Sequence, residues 1–421
     1  MRRLCVFEDE KYCNLYPLTF LRPVFELKCG CTSLLDKILS NYKGAEVCFF
    51  VRDYLSPTFK KKFSTAPINN LNILGDSDLL LINGRWLVAD SAVEPDGPEE
   101  IGLCDGDVVY ARVSQETAAS CSADNIQTFL EQIKSKIKTR SVSADLISYP
   151  WDLINHNGKI IEQEFNSLGK SGIEGKFSSF STVYGEQDLV WVAQSAEIQP
   201  FVVIDTTHGP VIIDEGATIF PYSRIEGPSY IGRETYIYGA NVREGTAIGP
   251  MCRIGGEVEE SIIHGYTNKY HEGFLGHSYL AEWVNLGALT TNSDLKNDYS
   301  QVQVYIKGAL TDSNETKVGC YIGDHTKTSI GTFFNTGTVV GIMCNLVGSG
   351  GILPKFVPSF VWFLNNRFYK GYGFNAMLNT ARAVMARRNR SLSDEDVELM
   401  RFIHTLTKEE RQTALKKGRK T

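Results

Sequence analysis

One stretch of the chain, Asn268 to Lys296, gathers side chains that could do chemistry within an otherwise apolar and repetitive region. It reads NKYHEGFLGHSYLAEWVNLGALTTNSDLK and holds two of the seven histidines, His271 and His277. An imidazole has an ordinary pKa of about 6.5, so it can accept or release a proton near neutral pH. Asn285 adds an amide and Lys296 adds a positive charge. We therefore expect a functional site here, positioned by the elements around it.

The surrounding region repeats with a period of six residues, which fits neither an α-helix nor a simple strand. The first run of core positions is Ile213, Ile219, Ile225, Ile231, Ile237, Val242, Ile248 and Ile254, and the second is Ile322, Thr328, Phe334, Val340, Leu346 and Ile352. A small residue follows four positions after most of them. Three such hexads make one triangular turn of a β-helix, and stacked turns bury a shared core. The alternative is chance spacing in an all-β domain, which the number of in-register positions disfavours.

Residues 1–165 show a different pattern, in which strand-like and helix-like segments alternate. RLCVFED, AEVCFFVRD and DLLLINGRWLV are strand-like, whereas TSLLDKILSNY and NIQTFLEQIKSKIKT have helical spacing. This alternation predicts an α/β domain with a largely parallel sheet. Ligands of such sheets bind at the carboxyl ends of the strands.

These patterns divide the chain into four segments. We predict an α/β domain over residues 1–165, a Gly/Ser-rich linker over 166–195, a β-helix over 196–364 and a helical tail over 365–421. The tail carries a basic cluster from Arg382 to Arg390, which we interpret as a solvated face or a subunit contact.

Composition limits the classes of function. The net charge of −6 provides no general basic field, so we expect no nucleic-acid partner. The ten cysteines contain no Cys-x-x-Cys pair, which is typical of reduced thiols and predicts a cytoplasmic location. The N-terminus lacks the apolar segment of a signal peptide. No apolar run reaches the roughly 18 residues of a membrane span, so we expect none.

VREGTAIGPMCRIGGEVEES followed by HEGFLGHSYLAEWVNLGA resembles the acetyltransferase half of the bacterial bifunctional N-acetylglucosamine-1-phosphate uridyltransferase / glucosamine-1-phosphate acetyltransferase family. The resemblance implies a left-handed parallel β-helix and a homotrimer with sites between subunits. It makes His271 the general base, Arg243 the phosphate-binding residue and Asn285 the residue that orients the sugar. Glu259 belongs to the same motif, and Lys296 could add a second positive charge. The acyl donor would be acetyl-CoA or another acyl-CoA.

Each of these roles has a simpler alternative. His271 could be an ordinary polar residue on a loop, and Asn285 could belong to an asparagine ladder or a turn. His277 has no counterpart in the family motif, so we favour a structural role for it. The family's tyrosine is replaced by Phe274, and its phosphate-binding lysine falls near Ser261. The substrate can therefore differ from that of the family.

The stretch YPLTFLRPVFEL resembles sugar-1-phosphate nucleotidyltransferases, but the usual catalytic groups are missing. No Gly-rich phosphate loop precedes it, Val24 stands where a lysine is expected, and Arg85 stands where an acid would bind Mg²⁺. Nucleotidyl transfer needs backbone amides around the triphosphate and a metal ion. The site could still bind an anion through Arg22, Lys28, Arg52 and Arg85. Alternatively, Arg22 and Arg85 are simply ion-pair formers.

The segments PLTFLRP, YPWDLI, NKYHEGFLGHSYL and NSDLK resemble a divergent branch of these bifunctional-type sugar nucleotidyltransferases. We therefore predict a transferase of sugar-nucleotide or amino-sugar metabolism that acts on a sugar 1-phosphate or a nucleotide sugar. Its β-helix would carry acyltransferase chemistry, while the activity and the Mg²⁺ requirement of its N-terminal domain are in doubt. The alternative is a non-catalytic regulatory or scaffold protein that binds a sugar nucleotide.

Overall fold

The computed structural model describes residues 2–88, 92–348 and 350–417, so the last four residues of the predicted tail lie outside it. The chain forms two compact units. The first comprises Met1–Leu15, Leu21–Leu27 and Thr32–Ser148, and the second comprises Tyr16–Phe20, Lys28–Cys31 and Tyr149–Thr421.

A six-stranded mixed sheet organises the first unit. Along the described chain the first eight strands are β1 (Arg3–Phe7), β2 (Lys28–Cys29), β3 (Thr32–Ser33), β4 (Val47–Phe50), β5 (Leu79–Asn83), β6 (Glu100–Cys104), β7 (Asp107–Val113) and β8 (Thr139–Ser141). Six of them form this sheet, whereas β2 and β3 lie outside it. The sheet order is β4-β1-β5-β7-β6-β8. β1 is parallel to β4 and β5, but β7 is antiparallel to β5 and β6. The sheet is less parallel than we predicted because a tight turn, with Asp105 and Gly106 at positive φ, joins β6 directly to β7.

Four helices cover this sheet: α1 (Leu34–Asn41), α2 (Ser56–Lys62), α3 (Gln115–Ala119) and α4 (Ile126–Lys134). Helix α1 starts with a capping box between Ser33 and Asp36, which satisfies free N–H groups of its first turn. Helix α4 buries Phe129, Leu130 and Ile133 in the core that contains the central strands. The predicted α/β domain is thereby confirmed.

The long segment of the second unit begins with helix α5 (Pro150–Leu168), followed by three ladders of short, mostly parallel strands. Ladder A consists of Gly172–Ile173, Val190–Val192, Val211–Ile213, Ser229–Ile231, Thr246–Ile248, Ile262–Ile263, Tyr279–Leu280, Cys320–Ile322, Thr338–Val340 and Phe356–Val357. Ladder B consists of Lys176–Phe177, Glu197–Ile198, Thr218–Ile219, Tyr236–Val242, Arg253–Glu259, Asn268–Lys269, Lys327–Thr328, Asn345–Leu346, Trp362–Leu364 and Arg367–Tyr369. Ladder C consists of Thr182–Tyr184, Val203–Asp205, Arg224–Glu226, Phe274–Gly276, Thr291–Asn292 and Phe333–Phe334.

Two long strands link ladders B and C. These strands are Tyr236–Val242 and Arg253–Glu259, and each bends at a corner. The first residues of each strand pair with ladder B, and the last residues pair with ladder C. Each turn of chain therefore passes through three faces, which is the predicted parallel β-helix. An antiparallel hairpin, Gln303–Ile306 with Ala309–Asp312, is inserted between two of the turns.

The hexad positions form the core of this β-helix. All eight positions of the first run, from Ile213 to Ile254, are fully buried. The small residues between them fit the corners, where Thr235, for example, donates a hydrogen bond from Oγ1 to the carbonyl of Gly249 at 2.8 Å. The second run follows the same rule until its last position. Ile352 is 64% exposed, and Leu353 takes its place in the core at 2%.

The β-helix begins within the segment that we expected to be a linker. Its strands start at Gly172, and Val190 and Val192 are fully buried in its core. Gly175, Ser178, Ser179 and Ser181 of that segment lie between short strands, where turns favour glycine and serine.

The chain ends in three helices, α6 (Phe374–Ala386), α7 (Asp394–Leu406) and α8 (Lys408–Lys417). Helix α7 starts with a capping box formed by Ser393 and Asp396. Across the described residues, none of the helices combines the length and the apolar character that crossing a membrane requires. The predicted order of α/β domain, β-helix and helical C-terminal part is confirmed.

Candidate functional site

A groove on ladder B of the β-helix contains the predicted residues His271 and Asn285, and it encloses about 490 Å³. Its lining consists of Tyr238, Arg253, Asn268, Tyr270, His271, Asn285, Leu286, Gly287, Ala288, Ile330, Arg387 and Arg388. Among the described residues, this lining contains three arginines and no carboxylate, so the groove is electropositive. It can accommodate part of a small ligand.

Asn285 lies in a ladder of aligned polar residues on this face. Its backbone bridges to Asn268 on one side and to Lys327 on the other. The side-chain amide of Asn268 donates to Asn285 Oδ1 at 3.3 Å. Asn285 is therefore part of an asparagine ladder, as the alternative interpretation expected. Its side chain also lines the groove.

His271 lies on the loop that follows Asn268–Lys269, and its side chain is exposed. Its ring packs edge-on against Tyr270, with ring centres 4.9 Å apart. Tyr270 packs in turn against Tyr238 at 4.3 Å. An imidazole held in this way can exchange a proton with a molecule in the groove.

Lys269, two residues before His271, is buried under this loop at 2% exposure. Its Nζ donates to the carbonyls of Gly255 at 2.7 Å and Gly273 at 2.6 Å. Burial lowers the pKa of Lys269 to about 8, while the carboxylates of Glu272 and Glu257 oppose that shift.

The three arginines lie at the side of the groove. Arg388 donates from Nη2 to Asn268 Oδ1 at 3.0 Å, and its buried Nε has no hydrogen-bond partner within the described residues. Burial lowers the pKa of Arg388, and the neighbouring charges of Arg253 and Arg387 lower it further. Like charges held together without a counterion favour the binding of an anion.

Arg253 is fixed by two kinds of contact. Its guanidinium lies 3.8 Å from the ring centre of Tyr236, a favourable cation–π distance. Its Nη1 donates to the backbone carbonyls of Glu234 and Cys252 at 2.9 and 2.7 Å. These contacts fix the guanidinium beside the groove.

Arg243 does not line this groove; it lies among four carboxylates. The nearest oxygens are those of Glu259 at 3.2 Å, Glu244 at 3.6 Å, Glu257 at 3.7 Å and Glu226 at 3.9 Å. Burial lowers the pKa of Arg243 but these four carboxylates raise it, and the net direction is upward. The charge that was expected to bind a phosphate is therefore balanced within the chain.

Glu259 and Lys296 also bond to protein groups. Glu259 is buried and pairs with Arg243 and with Lys317, whose Nζ is 3.5 Å from Oε1. Lys296 donates to Ser300 Oγ at 3.2 Å and to the carbonyl of Gln301 within its own loop.

His277 is buried between two carboxylates. Its Nδ1 is 2.8 Å from Asp294 Oδ2 and its Nε2 is 3.0 Å from Glu260 Oε2. Burial lowers its pKa, but the hydrogen bonds and charges of Asp294 and Glu260 outweigh that effect and raise it to about 9. At neutral pH this ring is an imidazolium and cannot accept a proton.

In the first unit, Arg85 occupies the strand edge where ligands of α/β sheets bind. The side chain is fully buried. It makes two bonds to Asp9, from Nε at 2.7 Å and from Nη2 at 2.6 Å, and one from Nη2 to Asp107 at 2.7 Å. Burial lowers the pKa of Arg85, but the two carboxylates outweigh burial and raise it. This fits the ion-pair interpretation.

Arg22 is buried as well, and its carbonyl accepts a bond from Arg52 at 2.8 Å. Arg52 pairs with the buried Glu8 at 3.1 Å, and Glu8 accepts the backbone N–H of Val24 at 2.7 Å. The acids here, Glu8 and Asp9, are thus bound by arginines. The residues present do not fit a Mg²⁺ ion, because a cation already occupies the carboxylates that would bind it.

Comparisons with known proteins match parts of this chain. A family model described as sugar nucleotidyl transferase matches residues 4–172. A bifunctional sugar-1-phosphate nucleotidylyltransferase/acetyltransferase of Sulfurisphaera tokodaii is 38% identical over 193 residues, which is 44% of this chain and 46% of that protein. The bifunctional protein GlmU of Rippkaea orientalis is 30% identical over 155 residues, 32% of this chain and 34% of that protein. Over these stretches the chain is similar to bifunctional proteins of the GlmU type.

The chain spans less than half the length of these two GlmU-like relatives. A solved structure, the UDP-N-acetylglucosamine acyltransferase of Francisella novicida, aligns with a TM-score of 0.23 and 14% identity over 52% of this chain and 75% of that chain.

The sequence patterns did not identify four residues around the groove. Lys269 stands two positions before His271, and its importance depends on a buried position that no local pattern reveals. Arg387 and Arg388 belong to the basic cluster that we interpreted as a solvated face or a subunit contact. Arg253 lies within the matched family segment but outside its motif positions.

Proposed function

We propose that this GlmU-like chain is a transferase of sugar-nucleotide or amino-sugar metabolism, and that the His271 groove transfers an acyl group to a phosphate-bearing amino sugar. The observation that carries the proposal is an exposed imidazole beside a groove with three arginines and no carboxylate. The names of the GlmU-like relatives, which combine nucleotidylyltransferase and acetyltransferase activities, agree with it.

His271 would act as the general base. It takes a proton from the sugar amine as that amine attacks an acyl carbonyl, and a positioned base typically contributes about 10² to 10⁴ in rate. Bound acetyl-CoA, or another acyl-CoA, would supply the thioester. Asn285, which lines the same groove, would orient the sugar through its amide.

Arg253, Arg387 and Arg388 would bind the phosphate groups of the ligands. A guanidinium donates in two directions and fits phosphate oxygens. The unpartnered Nε of Arg388 is a donor that an anion can use. Burial is the main cause that lowers the pKa of Arg388, and repulsion from Arg253 and Arg387 is the next. A bound anion would also relieve this repulsion.

We assign structural roles to the other predicted site residues. Arg243 and Glu259 belong to an ion-pair network, and Lys296 stabilises its own loop. Arg22 and Arg85 would stabilise the first unit, which we propose does not catalyse Mg²⁺-dependent nucleotidyl transfer. We also propose a homotrimer, as the family resemblance implies.

A second candidate function is a non-catalytic sugar-nucleotide-binding scaffold. The Arg85 network favours it for the first unit, because a cation holds the carboxylates Asp9 and Asp107. In this alternative the β-helix groove binds its ligand without chemistry.

The test is acyl transfer from acetyl-CoA to a panel of amino-sugar 1-phosphates and nucleotide amino sugars, measured by thiol release. His271→Ala should lower kcat by about 10² to 10⁴ and change KM little. His208→Ala is the matched control, since His208 is also an exposed histidine of the β-helix. Equal activity of His271→Ala and wild type would remove the base from the proposal. Absence of transfer with any acceptor, together with ligand binding to the groove, would establish the scaffold instead.

A further inference from the structure

We propose that Lys269 is a positioning residue, whose buried ammonium group fixes the loop 270–273 and thereby holds His271 in its working orientation. The inference rests on the proposed function for the role of His271. Its structural part, the ordering of the loop, is independent of any activity.

The geometry around Nζ is that of an ammonium bound to backbone carbonyls. The group is 2% exposed. It donates to Gly273 O at 2.6 Å and to Gly255 O at 2.7 Å, and the carbonyl of His271 itself lies 3.5 Å away. Two of these three carbonyls belong to the loop that carries His271, so the ammonium connects that loop to the strand Arg253–Glu259 beneath it.

The space around the ammonium is closely fitted. Gly256 has a positive φ of 68°, and a Cβ added there would lie 2.8 Å from Nζ. Gly273 also has a positive φ, of 132°, and its carbonyl accepts a hydrogen bond from the buried amine. The backbone on both sides of the group is thus shaped to present carbonyl oxygens to it.

If Lys269 only filled space, its side chain would not need a charge. Burying an ammonium is costly, and an apolar side chain of similar length would fill the space without that cost. It would, however, leave buried carbonyls without a donor. The charged groups that act on Lys269 are Glu272 and Glu257, and both act through charge alone, without a hydrogen bond.

The number of N–H donors on Lys269 Nζ makes the contacts of the loop depend on pH. An ammonium has three donors, whereas a neutral amine has two. Burial lowers the pKa of Lys269 to about 8, so the third donor is lost just above neutral pH. The longest contact, to the carbonyl of His271, should be released first.

Hydrogen exchange of the segment 268–276, followed by mass spectrometry and corrected for intrinsic rates, tests the proposal. In wild type the protection of this segment should fall between pH 7 and pH 9. In Lys269→Met it should already be about tenfold lower at pH 7, the loss expected for about 1.4 kcal/mol of hydrogen bonding, and should change little with pH. Reaction of His271 with diethylpyrocarbonate should become faster in the same variant.

Lys327→Met is the matched control. Lys327 is also a lysine of ladder B; burial lowers its pKa to about 8, and its Nζ donates to the carbonyl of His325 at 2.9 Å. This variant should leave exchange in 268–276 unchanged, which separates loss of the loop contact from loss of any buried lysine.

Two outcomes would overturn the inference. One is wild-type protection of 268–276 in a folded Lys269→Met protein; the other is wild-type protection that does not change between pH 7 and pH 9. Neither measurement uses acyl transfer, so the inference can fail while the proposed function holds. If transfer is detected, Lys269→Met should lower kcat with little effect on KM, as expected for a misplaced base.

Discussion

Replacing His277 with glutamine tests which of the two neighbouring histidines can act as a base. The His277 ring lies between Asp294 and Glu260; burial lowers its pKa, but these two carboxylates outweigh burial and raise it from 6.5 to about 9. A rise of this size corresponds to about 3 kcal/mol of stabilisation of the protonated form. Because the Glu260 side chain is 41% exposed, we discount the value for solvent screening to about 2 kcal/mol.

The sign of the pH dependence follows from the direction of the shift. The folded state binds the proton more tightly than the unfolded state, so the contribution of His277 is complete below a pH of about 6.5. It is lost as the pH rises from there through about 9. Wild type should therefore be more stable than His277→Gln by about 2 kcal/mol at pH 6 and by little at pH 9.5.

Urea unfolding of both proteins at several pH values between 6 and 9.5 measures this difference directly. Parallel stability curves would refute the assignment of a charged, doubly paired imidazole. The same variant should keep its acyl transfer at pH 7, because an imidazolium between two carboxylates has no free site for a proton. Loss of transfer in a fully folded His277→Gln protein would show that we assigned the base to the wrong histidine.

The remaining predictions concern the arginines. Arg388→Met should weaken binding of coenzyme A or a nucleotide sugar by about tenfold or more, as expected for one charge-assisted phosphate contact, with little change in melting temperature; isothermal titration calorimetry checks this. Arg243→Met should instead leave affinity unchanged and lower stability, since four carboxylates lose their cation, and equal affinity loss in the two variants would contradict our placement of the anion site. In the first unit, Arg85→Met should destabilise by about 3 kcal/mol, the typical cost of breaking a buried pair. Pyrophosphorolysis of nucleotide sugars by wild type should stay well below about 1 per second, and faster turnover would contradict our assignment.

Several features were predictable because they depend on local sequence. The six-residue period identified the β-helix and its core, since each inward residue faces its counterpart in the neighbouring turn. The cap of α7 is equally local, because Ser393 and Asp396 are three residues apart. His271 could be proposed because a family motif surrounds it, and the structure places it at a groove.

Other features depended on residues that are distant in sequence. The partners of His277 include Asp294, 17 residues away, and Arg388 bonds to Asn268, 120 residues away. Arg85 could be interpreted as a substrate contact or as an ion pair until the structure brought Asp9 to it, 76 residues away. The side-chain types alone therefore indicated which chemistry was available, but only the tertiary structure decided which charges are already balanced. The physical reason is that pairing and desolvation depend on distance in space, and a chain of this length brings distant residues together.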